Sequence, residues 1–322
     1  MTIKRTMEGL VKYGFFVVLG ATFLLFSVLT EHFLSGENIL NILHTMAPLA
    51  IIASGLGLVI ISGRLDISVG STAFLSCAIG ALLMKDHGLD PILATIVVLA
   101  CGAVLGAVNG AIVSVLKVNS LIATLGTMIA YRGIALSLTD ALLVPLPEPI
   151  RVLGNARLGP IPTDILIMVV ILVGVHLLHA RTAFGRQLVA MGNDVTIARK
   201  VGLPVDRTGF LSFVLAGVLA SIGGILTTVQ NGAVSPWLGS GVEFTALAAV
   251  VVGGISLLGG RGTILFSIIP GAFIFEMIRN GLTHLGATPY SYRLVGGAVI
   301  FAAMYADALK SGRVSLRWRT AP

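Results

Sequence analysis

Apolar residues run along this chain in blocks of roughly 17–25 positions, separated by short polar breaks rather than by alternating polar faces. A soluble helix shows an apolar stripe and a strand alternates, whereas blocks of this length match a helix crossing a bilayer. The blocks fall at about 14–30, 41–62, 67–84, 91–116, 119–139, 164–180, 209–230, 242–258, 263–285 and 290–309. They predict about ten transmembrane helices, that is, an all-α polytopic membrane protein. Blocks 67–84 and 242–258 are short and flanked by glycine, so a continuous and a re-entrant path are both open for them. Turn signals mark the breaks: Asp86-His87-Gly88 with Asp90-Pro91, the prolines from Pro145 to Pro162, Pro236, and Ala287-Thr288-Pro289.

Two polar segments stand out. Residues 140–163 carry Pro145, Pro147, Pro149, Pro160 and Pro162, a stiff loop with room for a short helix. Residues 180–208 form the longest polar stretch. They hold Arg181, Arg186, Arg199, Lys200 and Arg207 against only Asp194 and Asp206. Neither segment is long enough for a separate domain, so residues 1–322 read as one transmembrane domain.

Composition supports this reading. Charged residues make up 11% of the chain, against about 25% in soluble proteins, and the mean hydropathy is +1.00. The 39 glycines and 7% aromatics suit helices packed closely in lipid. A net charge of +7 would suggest nucleic acid in a soluble protein, but membrane proteins collect basic residues in cytoplasmic loops. With the N-terminus inside, Lys4, Arg5, Lys12, Arg64, Lys117, Arg181, Arg186, Arg199, Lys200, Arg207, Arg261, Lys310, Arg313, Arg317 and Arg319 fall inside. Only Lys85, Arg151 and Arg157 fall outside. That asymmetry predicts both termini in the cytoplasm and no nucleic-acid partner. The block at 14–30 follows basic residues as a signal peptide would, but no small-x-small cleavage site follows it, so a retained first helix is expected.

Enzyme motifs are missing. No G-x-x-x-x-G-K-[ST] occurs, and no HExxH, Cys/His ligand spacing or nucleophile–base pair is present. No cofactor and no metal are expected, and Cys77 and Cys101 read as packing residues inside apolar blocks. Energy for active transport must then come from a partner or an ion gradient. Gly102, Gly106 and Gly110 share one helix face and predict close helix contact. Asn109 beside them either bonds a neighbouring helix or lines a path. Glu276 and Arg279 are spaced to pair on one face, as a buried ion pair or as a polar lining. Arg132, Glu243 and Arg293 read as residues near span ends. The similarity of Gly63–Ile67 to Gly253–Leu257 leaves an internal repeat open.

Within 180–208, Arg186–Met191 reads as helix that Gly192 can end. Asn193 or Asp194 can then cap a short helix over 195–201, closed by Gly202 before Leu203-Pro204. Ile197 and Val201 make an apolar stripe flanked by Arg199 and Lys200. Such a helix suits a docking partner, or anionic lipid.

The motifs themselves resemble a known family. Ser62-Gly63-Arg64-Leu65-Asp66-Ile67-Ser68-Val69-Gly70-Ser71 is similar to the SGGIDLSVGS motif of ribose-type monosaccharide ABC importer permeases. Leu121–Met128 with Arg132-Gly133, the segment Thr182–Gly202, and the block Val242–Gly262 follow in that family's order, over about residues 38–309. Arg64, Asn193 and Thr245 stand where the family has Gly, Gly and Asp. The resemblance implies a transmembrane subunit with a fold like the vitamin B12 importer (type II), in the bacterial inner membrane, paired with a second copy or a sister permease. It implies partnership with cytoplasmic ABC ATPase subunits and an extracytoplasmic solute-binding protein, with ATP hydrolysis on the ATPases. It also implies that the coupling helix lies around Gly192–Gly202. Asp66, Asn109, Glu276 and Arg279 are the candidate path residues. Rival readings are an ABC permease for a branched-chain amino acid, a nucleoside or a furanone-type signal, an ion-coupled transporter using Glu276, and a membrane scaffold.

Overall fold

The computed structural model describes residues 19–30, 33–288, 291, 292, 294–299 and 301. The expected block 290–309, Arg293 and the basic residues of both termini lie wholly or largely outside these. The described chain is helical: α1 (Leu19–Leu29), α2 (Gly36–Ile61), α3 (Val69–His87), α4 (Pro91–Gly110, extended by a π-helical turn Ala111–Val115), α5 (Ser120–Leu138) and α6 (Glu148–Leu153) come first. They are followed by α7 (Thr163–Arg181), α8 (Ala183–Asn193), α9 (Val195–Lys200), α10 (Val205–Asn231), α11 (Val242–Val252) and α12 (Ile264–His284). Seven of them, α2, α3, α4 with its π turn, α5, α7, α10 and α12, are long and apolar enough to cross a bilayer.

Local chemistry sets the boundaries. Asp90 caps α4 by accepting from the amides of Ile92 and Leu93, with Pro91 at the first helical position. Asn119 caps α5 through the amides of Leu121 and Ile122. Gly88 and Gly232 close α3 and α10 in the left-handed conformation. The proline-rich loop holds α6 and two tiny antiparallel ladders; in one of them Val144 pairs with Val234 across the far turn 232–241.

The core forms around α2 and α10. Of α2's most apolar window 89% is buried, against 17% for α5, so α2 is central and α5 lies at the margin. Helix α10 packs on α4, α2 and α3, while α7, α11 and α12 pack on α2 and α5 on α3. The predicted glycine face is where α4 meets α10. A Cβ at Gly106 would strike the Phe213 carbonyl, and one at Gly217 would strike the Gly102 carbonyl. Direct backbone contact of this kind is what small residues permit in lipid.

The two doubtful blocks resolve differently. The block at 67–84 is one continuous helix, but it starts at Val69 after an irregular stretch from Arg64 to Ser68. The block at 242–258 is corrected to the eleven residues of α11. Gly253 ends that helix, and Gly254, Gly259, Gly260 and Gly262 then turn the chain with positive φ, which an apolar average over the block cannot reveal.

Candidate functional site

The basic segment 180–208 folds nearly as read. Thr182 caps α8 by accepting from Gly185 N, and Asp194 caps α9 by accepting from the amides of Thr196 and Ile197. Gly202 follows at φ +81°, as a helix-closing glycine should. One boundary differs: α8 runs through Gly192 and ends at Asn193. Gly192 is a contact point instead of a stop. A Cβ there would collide with the Ile61 carbonyl and the Gly260 amide, which bond each other at 2.8 Å. Gly63 and Gly259 close the same knot, so α8 is seated on the end of α2 and on the turn after α11.

Helix α9 presents the opposite character. Ala198 is buried, while Ile197 is 60% and Val201 68% exposed, flanked by Arg199 and Lys200. Arg186 and Lys200 are exposed as well. The result is a short basic helix with an uncovered apolar pair, seated on the bundle through α8. Chemically, this surface can bind but cannot react.

Beside it lie contacts that the motif reading missed. Asp206, in the first turn of α10, takes Lys117 Nζ at 2.5 Å and Arg199 Nη2 at 3.1 Å on one oxygen. Arg64 donates to Ser114 Oγ at 2.7 Å and lies against Gly209. Burial holds the Arg64 guanidinium below its usual basicity, with Asp206 raising it and Arg199 lowering it further. Pairings between residues far apart in the chain leave no periodic trace in a sequence.

Asp66 and Asn109 come together, but in a closed knot. Asp66 is 1% exposed and accepts from Ser68 N at 2.9 Å and Ser68 Oγ at 2.7 Å; Asn109 Nδ2 donates to Ser68 Oγ at 2.7 Å. Burial raises the Asp66 carboxyl, opposed by these bonds. Asn109 therefore takes the neighbour-bonding role of its two readings. The non-helical stretch survives inside the bundle because α5 serves its amides: Leu65 N reaches Ser120 Oγ at 3.1 Å and Ile67 N reaches Thr124 Oγ1 at 3.2 Å.

Glu276 and Arg279 pair as their spacing predicts, at 2.6 Å and 2.8 Å, with Glu276 buried and Arg279 half exposed. They line a cavity of about 670 Å³ with Glu243, Phe244, Phe275 and Tyr292. Glu243 is buried there beside Gly241 N, and Arg132 bonds the carbonyls of Pro236 and Leu238 while its guanidinium lies 5.4 Å from the Phe74 ring. Glu243 lies in the first turn of α11, near a helix end as read, and both residues also serve as internal ties. At the same end, His44 lies 2.5 Å from Asp164, which also takes Gln230.

Comparison with known proteins places the chain among characterised relatives. The chain is 38% identical over 305 residues to the probable ABC transporter permease protein YphD of Escherichia coli K12, covering 94% of this chain and 91% of that protein. It is 35% identical to the E. coli K12 ribose import permease protein RbsC, over 88% of this chain and 89% of RbsC. It is 36% identical to the autoinducer 2 import system permease protein LsrC of Klebsiella pneumoniae, over 95% and 88%. Residues 38–304 match the family described as branched-chain amino acid transport system / permease component. With most of its length matched, and with its helices and family motifs in order, the chain belongs to that family of ABC transporter permeases.

Proposed function

We propose that this chain is the membrane-spanning subunit of an ATP-driven importer for a monosaccharide or a solute of similar size and polarity. The observation that carries the reading is the seated α9 helix: an uncovered apolar pair ringed by basic residues, in a chain without a nucleotide-binding motif. Separate ATPase subunits grip residues 183–202 from the cytoplasm, with Arg186, Asn193, Asp194, Ile197, Arg199, Lys200 and Val201 at or beside the contact. A second permease copy or a sister chain completes the path. An extracytoplasmic binding protein meets the opposite end, at residues 140–163 and 232–241. The subunit has about ten spans, a type II fold and both termini in the cytoplasm of a bacterial inner membrane. Similarity to a ribose permease supports the sugar, and Glu276, neutralised by Arg279, offers little to a proton-coupled rival.

The test is a paired charge reversal, Arg199→Glu with Lys200→Glu. The cognate ATPase should no longer co-purify, and uptake should vanish while membrane insertion is unchanged. Unaltered ATPase assembly would refute the docking role. Similarity to an autoinducer 2 permease favours one second reading, a permease for a small signalling solute. An uptake panel of monosaccharides against a furanone-type signal, with the neighbouring binding protein present, separates the two.

A further inference from the structure

The joint between α4 and α5 is built unlike the other helix ends. Helix α4 passes into a π-helical turn, Ala111–Val115, and Lys117 follows in the left-handed region at φ 59°. A bulky side chain there is strained, and π turns recur at functional sites of proteins. Two cations hold Ser114 within this turn: Lys117 Nζ bonds its carbonyl at 2.5 Å and Arg64 bonds its hydroxyl. Lys117 also reaches Asp206, whose same oxygen holds Arg199 of α9. Two cations thus meet on one carboxylate that touches both the coupling helix and the joint, and Arg64, bonded to Ser114, is near enough to feel its charge. Immediately beyond, Ser120 and Thr124 fasten the start of α5 to the amides of Leu65 and Ile67.

We propose that Asp206 is a positioning residue that relays movement of α9 through Lys117 to the joint and so to α5. The proposal rests on the coupling reading of α9 above. Lys117, Arg199 and Asp206 are each about half exposed. Such bridges contribute little to stability, so they can break and re-form within a transport cycle. Removing the carboxylate leaves Arg64, Lys117 and Arg199 facing one another, which drives α9 away from the joint.

The experiment uses the full permease with its cognate ATPases and binding protein in proteoliposomes. It measures solute imported per ATP hydrolysed, with radiolabelled D-ribose as the probe. Asp206→Asn should leave ATPase assembly and hydrolysis near wild type while the ratio falls about tenfold, within the usual range of coupling between sites. Asp206→Glu should restore the ratio, and the swap Lys117→Asp with Asp206→Lys should restore part of it. A merely structural role lowers the amount of complex but not the ratio, so an unchanged ratio in Asp206→Asn overturns the relay. A second measurement is independent of how the variant folds. In the wild-type complex, hydrogen exchange at residues 116–122 should differ between nucleotide-free and ATP-trapped states, and identical exchange overturns the relay. If the wild-type chain neither binds an ATPase nor imports D-ribose or any solute of the panel above, the functional reading and the relay fall together.

Discussion

At the scale of single residues, Asp66 shows how a motif residue serves the fold. Its carboxylate satisfies the Ser68 amide and hydroxyl in a site closed to bulk solvent. Asp66→Ala orphans both donors and should cost about 1–3 kcal/mol, the penalty for an unpaired buried group; thermal unfolding in detergent checks it. Asp66→Asn keeps an acceptor and should cost less. Burial raises the folded carboxyl above its unfolded value, so the fold binds this proton more tightly than the unfolded chain does. The group's contribution to stability is full below the unfolded pKa of about 3.9 and is lost as pH rises through the raised value. Asp66→Asn should therefore flatten the fall of the unfolding temperature over that window, and an unchanged slope would refute the assignment. Gly192 is a sharper case. Gly192→Ala places a methyl against the Ile61 carbonyl and the Gly260 amide, so it should loosen α8 and lower uptake with the membrane-inserted amount preserved.

At the scale of elements, the non-helical stretch before α3 depends on hydroxyls lent by α5. The double change Ser120→Ala with Thr124→Val leaves the amides of Leu65 and Ile67 without partners. It should destabilise the protein by about 1–3 kcal/mol per orphaned group, whereas Thr124→Ser alone should be mild. Equal unfolding temperatures for the double variant and the wild type would count against these bonds. Element existence was readable here for a physical reason. Long apolar blocks must be helices because lipid offers the backbone no other partners. The start of α3 at Val69 was less readable, because the side chains that permit the break belong to another helix. The early end of α11 was only partly legible: Gly253-Gly254 marks a weak point for a helix, but that the chain turns there is decided by backbone torsion.

At the scale of the whole molecule, the described chain is a helical bundle with one end built around α8 and α9 and the other around the proline-rich loop. The proposed orientation puts the first end in the cytoplasm, where basic-residue asymmetry predicts it. A cysteine placed at Thr196 should react with an impermeant maleimide only after cells are opened, and one at Asn155 should react in intact cells; both positions are exposed. Reversed labelling would refute the orientation.

The sequence by itself determined a membrane-spanning helical permease, its family and the capped helix α9, since each of these rests on local periodicity, composition or contiguous motif. The pairing of Glu276 with Arg279 was legible too, because helical geometry joins positions three apart. Only the tertiary structure decided that Asn109 bonds Ser68, that Gly192 joins two distant turns, and that Asp206 gathers Lys117 and Arg199. These contacts join residues from separate helices, and which faces meet is fixed by packing the bundle as a whole.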